Sequence, residues 1–261
     1  MAEDLLIVEK KDNIASIYIN RPEKRNALSF EMWQQIPVIL QDLEQDEQVK
    51  VVIFRGIDDT AFAAGADISE FKTLRSTAAG EQQYNKAVSE AEAAIANLSK
   101  PTIAMIQKYC IGGGCIIALA CDLRFSSDTG IFAVTPAKIG LVYSFEGTKN
   151  LINLVGPSRA KDMLFSGREL NVYEAYGFGL IDRIITEDEI VQKTYEYAKT
   201  LTERAQKTIK GAKKIINEIQ NGLTEETDEI REMTVSSFAS FDYKEGVSAF
   251  LEKRVPQFKE V

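Results

Sequence analysis

Apolar and polar positions alternate with period two through LLIVEKK and again through IASIYIN, on either side of Asp12-Asn13. Successive strand side chains point to opposite faces, so this pattern predicts a hairpin with one buried face and the Asp-Asn pair at its turn. Arg21-Pro22 ends it. The period then lengthens. In SFEMWQQIPVILQDLEQ, residues Met32, Trp33, Ile36 and Leu40 recur at helical spacing behind Ser29, which is suited to cap the first turn, and Pro37 marks a bend or a tight packing point. VKVVIFRG (49–56), TIAMIQ (102–107) and DLRFSS (122–127) are short β-branched runs separated by helical segments such as EQQYNKAVSEAEAAIANL. That alternation predicts an α/β fold of repeated strand-helix units. From Glu187 onward the pattern is helical nearly throughout, including KTIKGAKKIINEIQNG and YKEGVSAFLEKR. We divide the chain into a strand-rich core over 1–195 and a helical region over 196–261. The lysines of KTIKGAKK predict a solvated helix face.

Composition narrows the function. The chain has 261 residues, 45% hydrophobic and 27% charged, enough for a full-sized core. Its start, MAEDLLIVEKK, lacks the basic opening and long apolar stretch of a secretory signal, and no apolar run approaches the roughly 20 residues that span a bilayer, so a cytoplasmic protein without membrane attachment is expected. A net charge of -8 disfavours nucleic acid as a partner, although a local basic cluster could still hold a phosphate. Cys110, Cys115 and Cys121 form no CxxC pair, and there is no histidine. No metal site is therefore expected, and the thiols are predicted to be buried. The absence of histidine also removes Ser-His-Asp and Cys-His catalysis and the HExxH metalloproteases. Any acid or base must be Glu, Asp, Tyr, Lys, Cys or water.

Two stretches of small residues follow strands. CIGGGCIIALACD begins at Cys110 after TIAMIQ, and AFAAGADISEF begins at Ala61 after VKVVIFRG. Neither GxxxxGK[ST] nor GxGxxG spacing is present, so the glycines do not signal a nucleotide site. Two tight turns at the ends of equivalent strands can aim backbone N–H groups at one point, beside a helix start that favours negative charge. Close packing of backbone is the alternative.

IYINRPEKRNALS, AFAAGADISEF, KPTIAMIQKYCIGGGCIIALACDLRFSS, Gly140-Leu141 with EGTKNL behind it, and AFLEKRVPQF occur in an order that resembles the crotonase (enoyl-CoA hydratase/isomerase) superfamily over nearly the whole chain. The resemblance implies a crotonase-like spiral of stacked β-β-α units with a helical C-terminal trimerisation region, in a homotrimer or homohexamer. It implies an acyl-CoA substrate, with coenzyme A as part of that substrate and no separate cofactor. It assigns the N–H groups of Ala66 and Gly113 to an oxyanion hole, Ala64, Asp67 and Ile68 to the substrate-contacting turn, and Lys24, Arg25, Phe250 and Lys253 to the coenzyme A end, where each charge has a solvated surface residue as its alternative.

Hydratases of this superfamily carry one catalytic glutamate at the place of Ile116 and a second at the place of Pro136, as FAVTPAKIGL aligns from Phe132 to Leu141. Adding water to a double bond needs groups that hold the water and move two protons, and neither Ile116 nor Pro136 can do so. Decarboxylation of a malonyl-type thioester needs no base, because departing CO2 leaves its electrons in an enolate. TPAKIGLVYSFEGTKNL resembles the methylmalonyl-CoA decarboxylase branch, in which a tyrosine at the place of Tyr143 positions the substrate carboxylate, although that branch keeps a glutamate at the place of Ile116. Tyr143 packed beneath the following helix is the alternative. Glu146 is either a capping residue or a displaced acid or base, and Glu70, Lys72, Arg75 and Tyr84 are weaker candidates. The leading expectation is thus a decarboxylase-like lyase. Its rivals are a hydratase or isomerase with a displaced acid, and a non-catalytic acyl-CoA-binding or RNA-binding member.

Overall fold

The computed structural model describes residues 4–259. Strands β1 (Leu6–Lys11) and β2 (Ile14–Ile19) form the expected antiparallel hairpin. Asp12 and Asn13 both take positive φ, 53° and 64°, the conformation a two-residue turn of this hand requires. Helix α1 (Phe30–Gln45) starts where Ser29 Oγ accepts the Met32 N–H at 3.3 Å. It buries Met32, Trp33, Ile36 and Leu40 and keeps Pro37 inside it.

The chain continues through β3 (Val51–Gly56), α2 (Phe71–Leu74), α3 (Ala78–Asn97), β4 (Thr102–Ile106), β5 (Tyr109–Ile111), α4 (Gly113–Ala120), β6 (Leu123–Ser127) and β7 (Ile131–Ala133). It then runs through α5 (Phe145–Ser166), β8 (Leu170–Asn171), α6 (Val172–Phe178), β9 (Arg183–Ile185), α7 (Ile190–Thr202), α8 (Gln206–Gln220), α9 (Asp228–Ala239) and α10 (Phe241–Glu252). Six strands pair in the order β1-β2-β3-β4-β6-β9, parallel except for the hairpin, and β5-β7-β8 form a second, smaller sheet. The parallel strands are covered on both faces, which explains why VVIF reads as a continuous apolar run. Val52 and Phe54 join the large core with α1 and α3, whereas Val51 and Ile53 join a second core closed by Ile190 and Ala198 of α7. The result is the α/β crotonase-like architecture that the sequence predicted.

Two expectations change. Residue 195 lies inside α7, which packs on the large sheet, so the core continues to Thr202 and the helical region starts with α8. The lysine run of α8 is not a uniformly solvated face either. Lys213 is buried, and its Nζ donates to Asp122 Oδ2 at 2.8 Å and to the Lys100 carbonyl at 3.0 Å, pinning α8 to the core. No helix among the described residues is long and apolar enough to cross a membrane.

Candidate active site

The small-residue turns meet where the two sheets adjoin. Isolated bridges pair Leu28 with Ala66 and Ala63 with Cys110, both in parallel sense. In the first, Leu28 N–H donates to Gly65 O at 2.8 Å and Asp67 N–H to Leu28 O at 2.8 Å. A parallel bridge of this kind uses the groups flanking Ala66, so the Ala66 N–H points away from Leu28. A Cβ placed on Gly113 would lie 3.3 Å from the Ala66 nitrogen. Gly113 is also the first residue of α4, where an N–H has no intrahelical acceptor. Neither the Ala66 nor the Gly113 N–H donates to a backbone or side-chain acceptor among the described residues.

Sequence dictates this convergence at two positions. Gly112 has φ 49° and ψ −104°, and Gly114 packs so tightly that a Cβ would fall 2.5 Å from the Ala63 carbonyl oxygen. The first position suits glycine alone, and the second leaves no room for a side chain.

The turns open into a cavity of about 350 Å³. Ala64, Ala66, Ile68, Gly113, Ile116 and Tyr143 all line it, so these six of the sequence-assigned residues come together. Ile116 supplies an apolar wall. Among the described residues lining the cavity there are two cations, Arg75 and Lys138, and no carboxylate. Arg75 is held in a bidentate ion pair by Glu81 and lies over the rings of Phe71 and Tyr84, at 4.3 and 4.8 Å from their centroids. Tyr84 in turn accepts a hydrogen bond from Trp33 Nε1–H at 3.2 Å. Burial pushes its phenol up to about 12.

The other assigned residues lie elsewhere. Asp67 is buried and accepts from Arg21 and Lys24 at 2.8 Å each, and from the Ser69 hydroxyl at 2.6 Å. Its burial alone would raise the carboxyl, but the bonds from Lys24, Ser69 and Arg21 outweigh that and hold it well below the usual carboxylate range. Asp67 and Lys24 thus brace the turn from behind. Arg25 lies 5.3 Å from the Tyr109 ring centroid, and its carbonyl accepts the Ala64 N–H at 3.0 Å. Glu70 accepts the Phe30 N–H at 2.8 Å and caps α1. Lys72 lies on α2, outside the cavity lining. Pro136 opens a short 3-10 helix, 136–139, and its neighbours Thr135 and Lys138 line the cavity instead. Glu146 lies in the exposed first turn of α5 and borders a different cavity, between α3 and α5. Phe250 and Lys253 belong to the far end of α10, with Phe250 83% exposed in a groove against α8. All three cysteines are buried thiols.

The structure adds one acid that the sequence alone does not single out. Glu92 is 1% exposed on α3, with Asn150 Nδ2 donating to its Oε1 at 3.0 Å and its Oε2 unpartnered. Burial, reinforced by the charge of Glu146, pushes this carboxyl up to about 7 despite the Asn150 bond. The hydroxyl of Tyr143 is likewise enclosed and unpartnered, and burial followed by the charges of Cys115, Glu92 and Cys110 pushes it up. An unpaired buried polar atom costs about 1–3 kcal/mol. The available signal was an acid inside the apolar stripe Tyr84, Ala87, Val88, Ala91, Ile95.

Residues 9–261 match the family described as enoyl-CoA hydratase/isomerase. The chain is 32% identical to crotonyl-CoA hydratase of Syntrophomonas wolfei, over 99% of both proteins, and 32% identical to the short-chain-enoyl-CoA hydratase of Clostridium acetobutylicum, over 95% of both. Among solved structures, an enoyl-CoA hydratase/isomerase family protein from Hyphomonas neptunium superposes with a TM-score of 0.95 at 38% identity, covering 98% of each chain. The chain therefore belongs to the enoyl-CoA hydratase/isomerase family, enzymes of acyl-CoA thioesters.

Proposed function

We propose that this enzyme works through a thioester enolate whose oxygen is held by the N–H groups of Ala66 and Gly113. In the leading reading the electrons of that enolate come from loss of CO2 from a malonyl-type acyl-CoA. The observation that carries it is the pairing of two adjacent backbone donors without acceptors with a cavity wall that holds Ile116 and cations and, among the described residues, no carboxylate. Fixed donors in a water-poor cavity stabilise developing negative charge without reorganising, and each is worth about 10²–10³ in rate. Lys138 suits a substrate that brings its own carboxylate, whereas Arg75 is already paired with Glu81. An apolar wall beside the breaking bond favours release of neutral CO2.

Hydration or double-bond isomerisation is the second reading, supported by the names of the relatives, crotonyl-CoA hydratase and short-chain-enoyl-CoA hydratase. It requires an acid or base other than residues 116 and 136. The exposed apolar side chains Val235, Phe238, Phe250 and Leu251 on α9 and α10 support the self-association that the resemblance implies.

Malonyl-, methylmalonyl-, ethylmalonyl-, crotonyl- and 3-enoyl-CoA, offered separately with products followed by mass, test these readings. Loss of 44 mass units, roughly one CO2, from a malonyl-type thioester is the expected result. Gain of water by crotonyl-CoA, with every malonyl-type substrate untouched, would overturn the decarboxylase reading in favour of the second.

A further inference from the structure

We infer that Tyr84 is the residue that recognises the acyl group, its hydroxyl donating to an oxygen carried by the acyl chain, which in a malonyl-type thioester is an oxygen of the departing carboxylate. The inference rests on the decarboxylase reading for the identity of that oxygen.

The cavity has an open and a closed end. Ile68, Ile139 and Val142 are exposed at its mouth, whereas Trp33, Tyr84 and Val88 are buried at its floor. Coenzyme A is far too large for about 350 Å³ and stays toward the mouth, so a thioester held at Ala66 and Gly113 directs its acyl group to the floor. Beside that floor Arg75 and Asn85 are already committed to Glu81, through Nε and Nη2 of the guanidinium and Nδ2 of the amide. The remaining polar device is the pair of Trp33 and Tyr84, in which the indole Nε1–H donates to Tyr84 Oη at 3.2 Å.

An indole nitrogen only donates, so this bond fills one acceptor position of the phenol oxygen and leaves its own proton unspent. Among the described residues nothing accepts the Tyr84 O–H. The ring is fixed. It stacks on Phe30 at 5.8 Å between centroids, meets Phe71 edge-on at 5.5 Å, and lies 4.8 Å from the Arg75 guanidinium. With the ring held and Trp33 on one side of Oη, the proton is left to the other side. Burial pushes the phenol up to about 12, so at neutral pH it is a donor. The indole also sets where that donor stands. Trp33 Cζ2 lies 3.2 Å from where a Cβ on Gly113 would be, so one indole ring separates Tyr84 Oη from the oxyanion turn.

Tyr143, the tyrosine to which the resemblance gives the carboxylate, has its hydroxyl enclosed and out of reach of a substrate. Tyr84 takes over that task in a way that suits the chemistry. A neutral donor orients a carboxylate without cancelling its charge, whereas a bond from a cation is roughly twice as strong and holds back the charge that must move into the enolate. As the C–CO2 bond breaks, its electron pair enters the enolate, and Tyr84 keeps its proton while its hydrogen bond to the leaving group is lost.

The test compares two thioesters of nearly the same shape, methylmalonyl-CoA and isobutyryl-CoA, in which a methyl replaces the carboxylate. KM is measured for the first and an inhibition constant for the second; without turnover, calorimetry gives both dissociation constants. Tyr84→Phe should weaken methylmalonyl-CoA by about 10- to 100-fold, the worth of a hydrogen bond to a charged group, and leave isobutyryl-CoA unchanged. Its kcat should hold or rise, because a bond lost as CO2 departs contributes to affinity rather than to rate. Trp33→Phe breaks the same bond between the two side chains but keeps the O–H, so its effect should be equal on both thioesters. A fluorinated tyrosine at position 84, nearly the same size and a stronger donor, should tighten methylmalonyl-CoA alone, and it decides the matter where Tyr84→Phe does not fold. Equal effects of Tyr84→Phe on both thioesters, or no effect of the fluorinated side chain on either, would overturn the role of Tyr84. So would a selective loss of methylmalonyl-CoA binding in Lys138→Met with none in Tyr84→Phe. Selective binding through Tyr84 without release of CO2 would instead overturn the decarboxylase reading and leave Tyr84 as the donor.

Discussion

The two walls of the cavity are built by different means. One consists of backbone, the turns 63–67 and 112–114, with an ion pair behind it. The other consists of side chains, Ile116 and Tyr143 from α4 and the segment before α5, with Glu92 of α3 buried behind them and outside the cavity lining. The first wall is overdetermined: bridges, a positive-φ glycine, a glycine against a carbonyl and a buried Arg-Asp pair all fix the same two N–H groups. The second is underdetermined, with two buried polar atoms unpaired. Stabilising an oxyanion rewards fixed dipoles. Moving a proton rewards groups whose two protonation states are close in energy. Rigidity belongs to the first wall and adaptability to the second.

The sharpest way to break this contrast is to disturb the backbone wall alone. Gly114→Ala puts a methyl 2.5 Å from the Ala63 carbonyl, a backbone atom that cannot rotate away. The turns must separate, and with them the donors. We expect activity on any acyl-CoA substrate to fall by at least about 10² while circular dichroism shows a folded chain. Activity within threefold of wild type would mean that the donor spacing is not what the reaction depends on.

A second disturbance reaches the same wall from behind. Asp67→Asn leaves the Arg21 guanidinium, with an 11% exposed side chain, facing a neutral amide. Removing one partner of a buried pair costs about 3–5 kcal/mol, read as a fall in the urea midpoint at pH 7. The sign with pH follows from the lowered carboxyl. The contribution is complete above the ordinary carboxylate range near pH 4 and is lost as pH falls through the depressed native value. The gap between variant and wild type should therefore narrow in acid. A gap that is the same at pH 3 and pH 7 would show that the charge of Asp67 is not what braces the turn.

The difference between the walls is also why one could be read in the sequence and the other could not. A run such as GGGC after a strand has few physical explanations, and two such runs after equivalent strands have fewer. Spacing pointed to two turns that could converge and left close packing open, the resemblance named Ala66 and Gly113, and the hairpin and the α/β order were legible from periodicity alone. Asp67 was legible as a member of the turn but not in its task, because its partners Arg21 and Lys24 come from a segment more than 40 residues away in sequence. Lys213 looked like every other lysine of its run until Asp122 gave it a partner inside. Glu92 is the extreme case. In sequence it is one of two acids in SEAEAA, and only burial against α5, with Asn150 donating to it, makes it a buried acid poised to titrate.

The smallest expected effect tests whether the second wall is as poised as the geometry indicates, without reference to any substrate. Glu92 keeps its proton up to about pH 7 in the folded chain, whereas an unfolded glutamate ionises near 4.3. Between those values the native state binds more protons than the unfolded state, so stability falls as pH rises. The contribution is complete below about pH 4, is lost as pH rises through about 7, and changes no further above that. Glu92→Gln removes the titration and keeps the amide-sized side chain, while every other titrating group is shared and cancels in the comparison. Relative to wild type, the variant should gain about 2 kcal/mol between pH 5 and pH 8, since each tenfold difference in proton affinity between the folded and unfolded chain is worth roughly 1.4 kcal/mol. Urea midpoints at the two pH values measure it. Parallel pH dependences would mean that Glu92 ionises like a surface acid, and the division between a fixed wall and a poised one would fail at the residue that best represents it.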